Sequence, residues 1–400
     1  DHRDLHLSIR RQRQMCIRDR NRIALSIFID LQKQLTVNLL LKIIIMSKDL
    51  TKSIFELLNK NDHEQLVYCC DKEIGLKAII GIHNTALGPA MGGTRMWNYN
   101  SEEEALNDVV NLSMAMSYKS SLAGLNAGGG KAVIIGDPKI KNEKFIKRYA
   151  EFINDLNGKY WTAQDVNMTS DDIINIKRTT NYVVGLPKEH GGLGDSSAPT
   201  AFGVYLGMKS AMMNMTGSES LEGKKILVLG VGKVGSKLIN YLLKEGSLVY
   251  AYDIDPKNLN VFSGTNIKIL QEDMIYSNEY DIFSPCALGG AINKDSIDKI
   301  RCKVIAGAAN NQIADEEIVL NKLQEKKIIF IPDFLINAGG IISVYHEQIG
   351  DLNSQKVMDM TSNIYDKVTD VLKFSQENDT STYNAAIQLA KNRIHNISEK

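Results

Sequence analysis

Residues 225–229 are a short apolar run that enters Gly230-Val231-Gly232-Lys233-Val234-Gly235 directly, and a helix-forming segment leaves it at Ser236. A second apolar run, 248–252, follows that helix. Strand, glycine turn and helix in this order predict the opening unit of a doubly wound, Rossmann-type parallel sheet. Gly230 permits the tight turn, Gly232 lets the backbone come up against a pyrophosphate, and Gly235 lets helix pack on strand. The first helical turn, with Val231, Lys233, Val234 and Ser236 around it, offers free N–H groups and a positive dipole end to phosphates. Asp253 stands at the end of the second strand, where a carboxylate takes the adenosine ribose hydroxyls. It would repel a 2′-phosphate, and Asp255, Pro256 and Lys257 follow it with no arginine among them, so NAD is expected rather than NADP.

Further short strands are predicted to end at Ser284, Ala306 and Ile331, alternating with helices as a parallel α/β sheet requires. Their polar exits, Pro285-Cys286-Ala287, Ala308-Ala309-Asn310-Asn311 and Pro332-Asp333, are expected to line the cofactor cleft, because ligands sit at the carboxyl ends of such strands. Upstream the pattern differs. Residues 65–70 and 76–82 read as strands, 102–118 as a helix with Ser101 and Glu104 as a capping box, and 132–135 as a short buried strand. Residues 144–156 and 171–177 read as helices, and the loop bearing Gly185, Gly191, Gly192 and Gly194 is the boundary candidate.

The 400 residues therefore divide into an α/β chain of two domains around a cleft. The first spans 46–190 for substrate binding and oligomerisation, and the second, 191–340, is the Rossmann domain. Helical residues 341–400 pack back toward the first domain. Residues 1–45, with nine Lys/Arg, four Asp and no Glu, Gly or Pro, are foreign to the rest. They partly fit a mitochondrial-type presequence. The preferred reading is a translated extension ahead of a true start at Met46, with a genuine N-terminal arm as the remaining alternative.

Forty-seven basic residues balance 47 acidic ones, which argues against a nucleic-acid footprint. Apolar runs such as 23–29 fall far short of the roughly 20 residues a bilayer needs, so no membrane is expected. Five cysteines without a paired spacing predict a reduced, cytoplasmic protein. Seven scattered histidines without HExxH or a Cys/His cluster predict no metal.

Two lysines, Lys119 and Lys131, flank a glycine-rich stretch, Gly124 to Gly130. Lys119 can hold a substrate carboxylate as a point charge. A neighbouring cation and desolvation would lower the pKa of Lys131 toward that of a useful base. Asp165 can exchange protons with an amine or water. On spacing alone, surface lysines and an N-cap aspartate explain the same residues equally well.

Four longer motifs decide between these. They are Gly88-Pro89-Ala90-Met91-Gly92-Gly93-Thr94-Arg95, Leu125-Asn126-Ala127-Gly128-Gly129-Gly130-Lys131, Thr162-Ala163-Gln164-Asp165-Val166 and Pro332-Asp333-Phe334-Leu335-Ile336-Asn337-Ala338-Gly339-Gly340. From about Met46 to near the C-terminus the chain resembles the Glu/Leu/Phe/Val amino-acid dehydrogenases, and within them the leucine enzymes. The resemblance implies NAD-dependent oxidative deamination of an L-amino acid to a 2-oxo acid and ammonia by a homo-oligomer. It implies that Lys119 binds the substrate carboxylate, that Lys131 activates water and polarises the carbonyl, and that Asp165 handles the amine and its protons. Asn310 matches the position at the amine or nicotinamide, and Thr200 the one reaching the nicotinamide amide. Gly92 and Gly93 belong to the substrate loop.

The family's Gly-Asp/Asn-Pro-Ser-Pro hinge reads Gly194-Asp195-Ser196-Ser197-Ala198-Pro199 here. The lost prolines predict a looser hinge and weaken the carry-over at Thr200. Glutamate enzymes carry a lysine where Met91 stands, and the family's pocket positions are here Met91, Ala163, Ile341 and Val344, all apolar. Burying a carboxylate side chain there without a partner is costly, so leucine, valine and isoleucine are the expected substrates, with phenylalanine the alternative. Ile341 and Val344 also fit ordinary helix core. A non-catalytic NAD-binding sensor is the reading from another functional class.

Overall fold

The computed structural model describes residues 54–398; the readings on 1–45 and on a start at Met46 lie outside the described residues. The helix Ile54–Lys60 belongs to a unit separate from the chain beyond Asn61 and has no buried residue.

From Asn61 onward the chain builds two six-stranded sheets. The first contains β1 (Gln65–Asp71), β2 (Leu76–Asn84), β3 (Ala90–Met91), β4 (Thr94–Trp97), β5 (Gly128–Ile135) and β6 (Tyr160–Trp161). Its order is β1-β2-β5-β3-β6, with β4 also on β5. β1, β2 and β5 run antiparallel, while β3, β4 and β6 join in parallel. The tight hairpin between β1 and β2 turns at Gly75, which has φ +73°, a conformation glycine adopts without cost.

The second sheet contains β7 (Lys225–Leu229), β8 (Leu248–Tyr252), β9 (Lys268–Ile269), β10 (Tyr280–Pro285), β11 (Cys302–Ile305) and β12 (Ile329–Phe330). All of its pairings are parallel, in the order β12-β11-β10-β7-β8-β9. The order reverses between β7 and β10, which is where a doubly wound sheet opens a crevice at its carboxyl edge.

Several expected elements are longer than the sequence suggests. The helix opened by Ser101 runs Glu102–Leu122, four residues beyond the expected end at 118. Only half of the expected capping box forms: Ser101 Oγ accepts from Glu104 N (3.1 Å), but the Glu104 carboxylate turns to Asn100, accepting from its N–H (2.8 Å) and its side-chain amide (3.0 Å). β5 begins at Gly128, not 132. A true capping box opens the helix Ser170–Lys177 through Thr169 and Asp172.

One apolar core joins the halves, with Met91, Leu125, Ala201, Val228 and Ile364 buried in the same cluster. The long helix Ser197–Thr216 supplies its middle. The last helix, Thr382–Ser398, lies along Glu102–Leu122, where Arg393 donates to the carbonyls of Ser121 (3.1 Å) and Leu125 (2.8 Å). Among the described residues no helix is long and apolar enough to cross a membrane, and no cluster of His, Cys, Asp and Glu suits a metal ion.

Candidate active site

β5 carries Lys131, and the segment after β6 carries Asp165. Glycines make their meeting possible. A Cβ on Gly93 would stand 2.8 Å from Gln164 O and 3.1 Å from Asp165 Cβ, and one on Gly92 would lie 1.8 Å from Gly130 O. The Gly92-Gly93 loop, assigned from the sequence to the substrate, here lets the Lys131 strand and the Asp165 segment close on each other. Lys131 Nζ and Asp165 Oδ2 form an ion pair, with Lys131 only 7% exposed.

Burial pulls the Lys131 amine below its ordinary pKa, the Asp165 carboxylate opposes this, and the Arg95 guanidinium adds to the fall. Burial raises Asp165, but Lys131 and Arg95 bring its carboxyl net below the usual range. Arg95 Nε lies 3.6 Å from Asp165 Oδ2, and its Nη1 pairs with Asp108 at 3.1 Å. Tyr99 donates its hydroxyl to the same Asp108 oxygen at 2.5 Å. A row of alternating charge therefore backs the pair, and the sequence reading had not singled out Arg95, Tyr99 or Asp108. Arg95 ends the glycine-bearing motif Gly88–Arg95, which is its signal in the sequence.

Lys119 lies one turn before the end of its helix and reaches across the cleft. Its Nζ donates to Asn337 Oδ1 (2.6 Å) and lies 3.4 Å from Asn310 Oδ1. Asn337 in turn donates to Asn310 Oδ1 (2.8 Å) and Ala308 O (3.1 Å). Burial pushes Lys119 down to about 8, with Lys131 adding and Asp333 and Asp165 opposing. Asp333, 5% exposed, is itself raised by burial against the pull of Lys119. Lys119, Lys131, Asp165, Asn310 and Asp333 all line one cleft of about 620 Å³ between the two sheets.

Met91, Ala163, Ile341 and Val344 are not among that cleft's walls. They belong to the adjoining apolar cluster, Met91 and Ile341 inside it and Ala163 and Val344 packed on it. Ala163 and Val344 meet at Gly185, whose added Cβ would stand 3.9 and 3.7 Å from them.

The glycine loop is tightly packed at its first and last glycines. Gly230 has φ +102°, and a Cβ on it would lie 2.7 Å from Ala287. A Cβ on Gly235 would lie 2.1 Å from Gly230 O, so helix and turn touch there. At Gly232 a Cβ would meet no protein atom, and Gly232 caps the helix Lys233–Lys244 without a side-chain bond, so its first N–H groups are free of a cap. Asp253 directly follows β8, and its carboxylate accepts from Val231 N (2.6 Å), Asp255 N (2.8 Å) and Asn258 Nδ2 (3.0 Å). This edge fits a dinucleotide: a bare backbone for the pyrophosphate and an anchored carboxylate one strand away.

At the altered hinge, side chains act where the prolines are missing. Asp195 accepts from Ser197 N (3.0 Å) and Ser197 Oγ (2.7 Å), and Lys237, on the helix after the glycine loop, pairs with it at 3.1 Å. Thr200, nearly buried, donates its hydroxyl to Ser196 O (2.9 Å) within its own helix.

This pairing of a two-lysine, one-aspartate cleft with a dinucleotide sheet has known counterparts. The Glu/Leu/Phe/Val dehydrogenase dimerisation domain matches residues 63–182, and the Glutamate/Leucine/Phenylalanine/Valine dehydrogenase family matches 253–400. The leucine dehydrogenase of Thermoactinomyces intermedius is 46% identical over 343 residues, 85% of this chain and 93% of that protein. A phenylalanine dehydrogenase of Bacillus thermotolerans is 42% identical over 348 residues, 85% of this chain and 91% of the relative. The crystal structure of L-tryptophan dehydrogenase from Nostoc punctiforme superimposes with a TM-score of 0.79 at 39% identity, covering 86% of this chain and all of that one. The chain belongs to the Glu/Leu/Phe/Val dehydrogenase family. It is an oxidoreductase acting on amino acids, of a family that uses nicotinamide cofactors.

Proposed function

We propose that the protein catalyses the reversible, NAD-dependent oxidative deamination of branched-chain L-amino acids, leucine foremost, to 2-oxo acids and ammonia. The observation that supports the substrate class is that Met91, Ala163, Ile341 and Val344 all lie in or against the apolar core, with no charged side chain among the four. A glutamate side chain placed there would bury its charge without a cation, at a cost of several kcal/mol.

Bound NAD supplies the hydride acceptor for the substrate Cα. The chain supplies the rest. Lys119 holds the substrate carboxylate, leaving the amide oxygens of Asn337 and Asn310 on its other side. Lys131, its amine depressed by burial, takes a proton from water and steadies the developing charge at the former amine carbon. Asp165 keeps Lys131 in place, takes a proton from the substrate ammonium before hydride transfer and returns one to the nitrogen as ammonia leaves. Asn310 and Thr200 address the amine and nicotinamide side. Gly230, Val231, Gly232, Lys233, Val234, Gly235, Ser236 and Ala287 would cradle the cofactor, with Asp253 toward the ribose. The negative charge at Asp253 and the acidic Asp255 beyond it favour NAD over NADP. A homo-oligomer in the cytoplasm completes the reading; the family description of residues 63–182 as a dimerisation domain supports the first part.

The full chain is tested by following NADH formation with L-leucine, L-valine, L-isoleucine, L-phenylalanine, L-tryptophan and L-glutamate. Aliphatic substrates should lead; an aromatic one in front would overturn the pocket assignment while keeping the chemistry. Asp253→Ser should weaken NAD about tenfold, the size of a lost charge-assisted hydrogen bond, and narrow the gap to NADP. An unchanged cofactor preference would mean that another residue reads the ribose.

A further inference from the structure

We propose that Glu347, a residue outside the cleft walls, is a positioning residue for side-chain selection, acting through the loop that joins the two halves. This rests on the reading of Ala163 and Val344 as pocket residues.

Glu347 sits on the helix Gly339–Gln348, one turn after Val344. One carboxylate oxygen, Oε2, accepts from the backbone N–H of Gly185 (2.6 Å) and Leu186 (3.2 Å), and the other, Oε1, accepts from Leu193 N (2.8 Å). Leu186 and Gly194 are the two ends of a closed loop, since Gly194 N donates to Leu186 O at 3.2 Å. A single carboxylate therefore grips both the entrance and the exit of the 185–194 segment. Hydrogen bonds to an ionised acceptor are the stronger kind, and three on one group fix it in orientation as well as position.

The gripped backbone borders two of the residues assigned to the pocket. Gly185 has φ +79° and sits against Val344 and Ala163. The residues before it pair with the substrate strand: Val184 N donates to Thr162 O (2.9 Å) and Thr162 N to Tyr182 O (3.0 Å). Thr162 and Ala163 lead straight to Asp165. Loosening the loop base would let Gly185 drift from Val344 and Ala163, widening the apolar space while leaving the β5 lysine and the glycine loop in place. Selection by a hydrophobic pocket depends on fit at the level of one methylene, so a small displacement is felt as lost discrimination.

The test compares the full-length wild type with Glu347→Gln and Glu347→Asp, reading kcat and KM for L-leucine and for L-2-aminobutyrate, whose short side chain leaves the pocket wall untouched. Gln keeps the size but turns an amide donor toward N–H groups; Asp keeps the charge on a stem one methylene shorter. The ratio of kcat/KM for leucine over 2-aminobutyrate should fall about tenfold in Glu347→Gln, through leucine KM, with a smaller fall in Glu347→Asp. A proportionate loss on both substrates, or none, overturns the assignment to Glu347. Should Glu347→Gln fail to fold, Glu347→Asp alone decides by the same ratio. A wild type that favours an aromatic substrate overturns the pocket reading itself, and that is seen before any variant is made.

Discussion

Lys131→Ala is expected to lower kcat by on the order of 10³-fold or more, the scale of losing a positioned proton-transfer group, while NAD binding changes less than about twofold. The two readouts separate because they sit on different sheets. Lys131 belongs to β5, whereas the glycine turn and Asp253 directly follow β7 and β8. Removing the buried lysine leaves Asp165 with Arg95 at 3.6 Å as its remaining cation, so the carboxylate is not stranded. Lys131→Met, which keeps the stem volume, should behave alike and guards against a packing artefact. Retained turnover in either variant would remove Lys131 from the mechanism.

Asp165→Asn should lower kcat by about 10²- to 10⁴-fold and also move the pH profile. The sign follows from the lysine. Burial lowers the Lys131 pKa, and Asp165 is the principal group raising it again. Deamination needs the free amine, so activity rises with pH through the Lys131 pKa, below the ordinary value of about 10.4. Removing the carboxylate charge lets that pKa fall further, and the residual activity of Asp165→Asn should therefore titrate at lower pH than the wild type. A limb that stays where it was would show that Asp165 does not control Lys131.

The second sheet was legible because its central strands are buried on both faces and read as unbroken apolar runs. β7 and β8 match the expected 225–229 and 248–252 for that reason. The first sheet was harder to read. β3 and β6 are two residues each, held by partners far away in the chain and invisible to periodicity. β5 hid its first residues because glycines carry little strand signal. They are required there: a Cβ on Gly129 would meet Ser117 N at 2.1 Å, and one on Gly128 would meet Asn84 O at 2.1 Å.

The site divides in the same way. The two lysines and Asp165 sit in motifs long enough to be read, and Gly230, Gly232 and Gly235 fall in a strand–turn–helix pattern that is legible locally. What holds them was not readable. Asn337 meets Lys119 across 218 residues of chain, and Glu347 meets Gly185 across 162. Contacts of that separation leave no local pattern, since only the closed fold brings the partners together. The hinge shows the converse, a departure plain in the local sequence whose ion pair, Asp195 with Lys237 from the next helix, is not.

The most direct measurement incubates the full-length protein with L-leucine and NAD, and quantifies NADH, ammonia and the 2-oxo acid in one reaction. Oxidative deamination in the two-lysine cleft requires the three to appear in equal amounts, with L-glutamate and NADP far behind. NADH without matching ammonia, or measurable NAD binding with none of the three products from any aliphatic amino acid, would contradict the account.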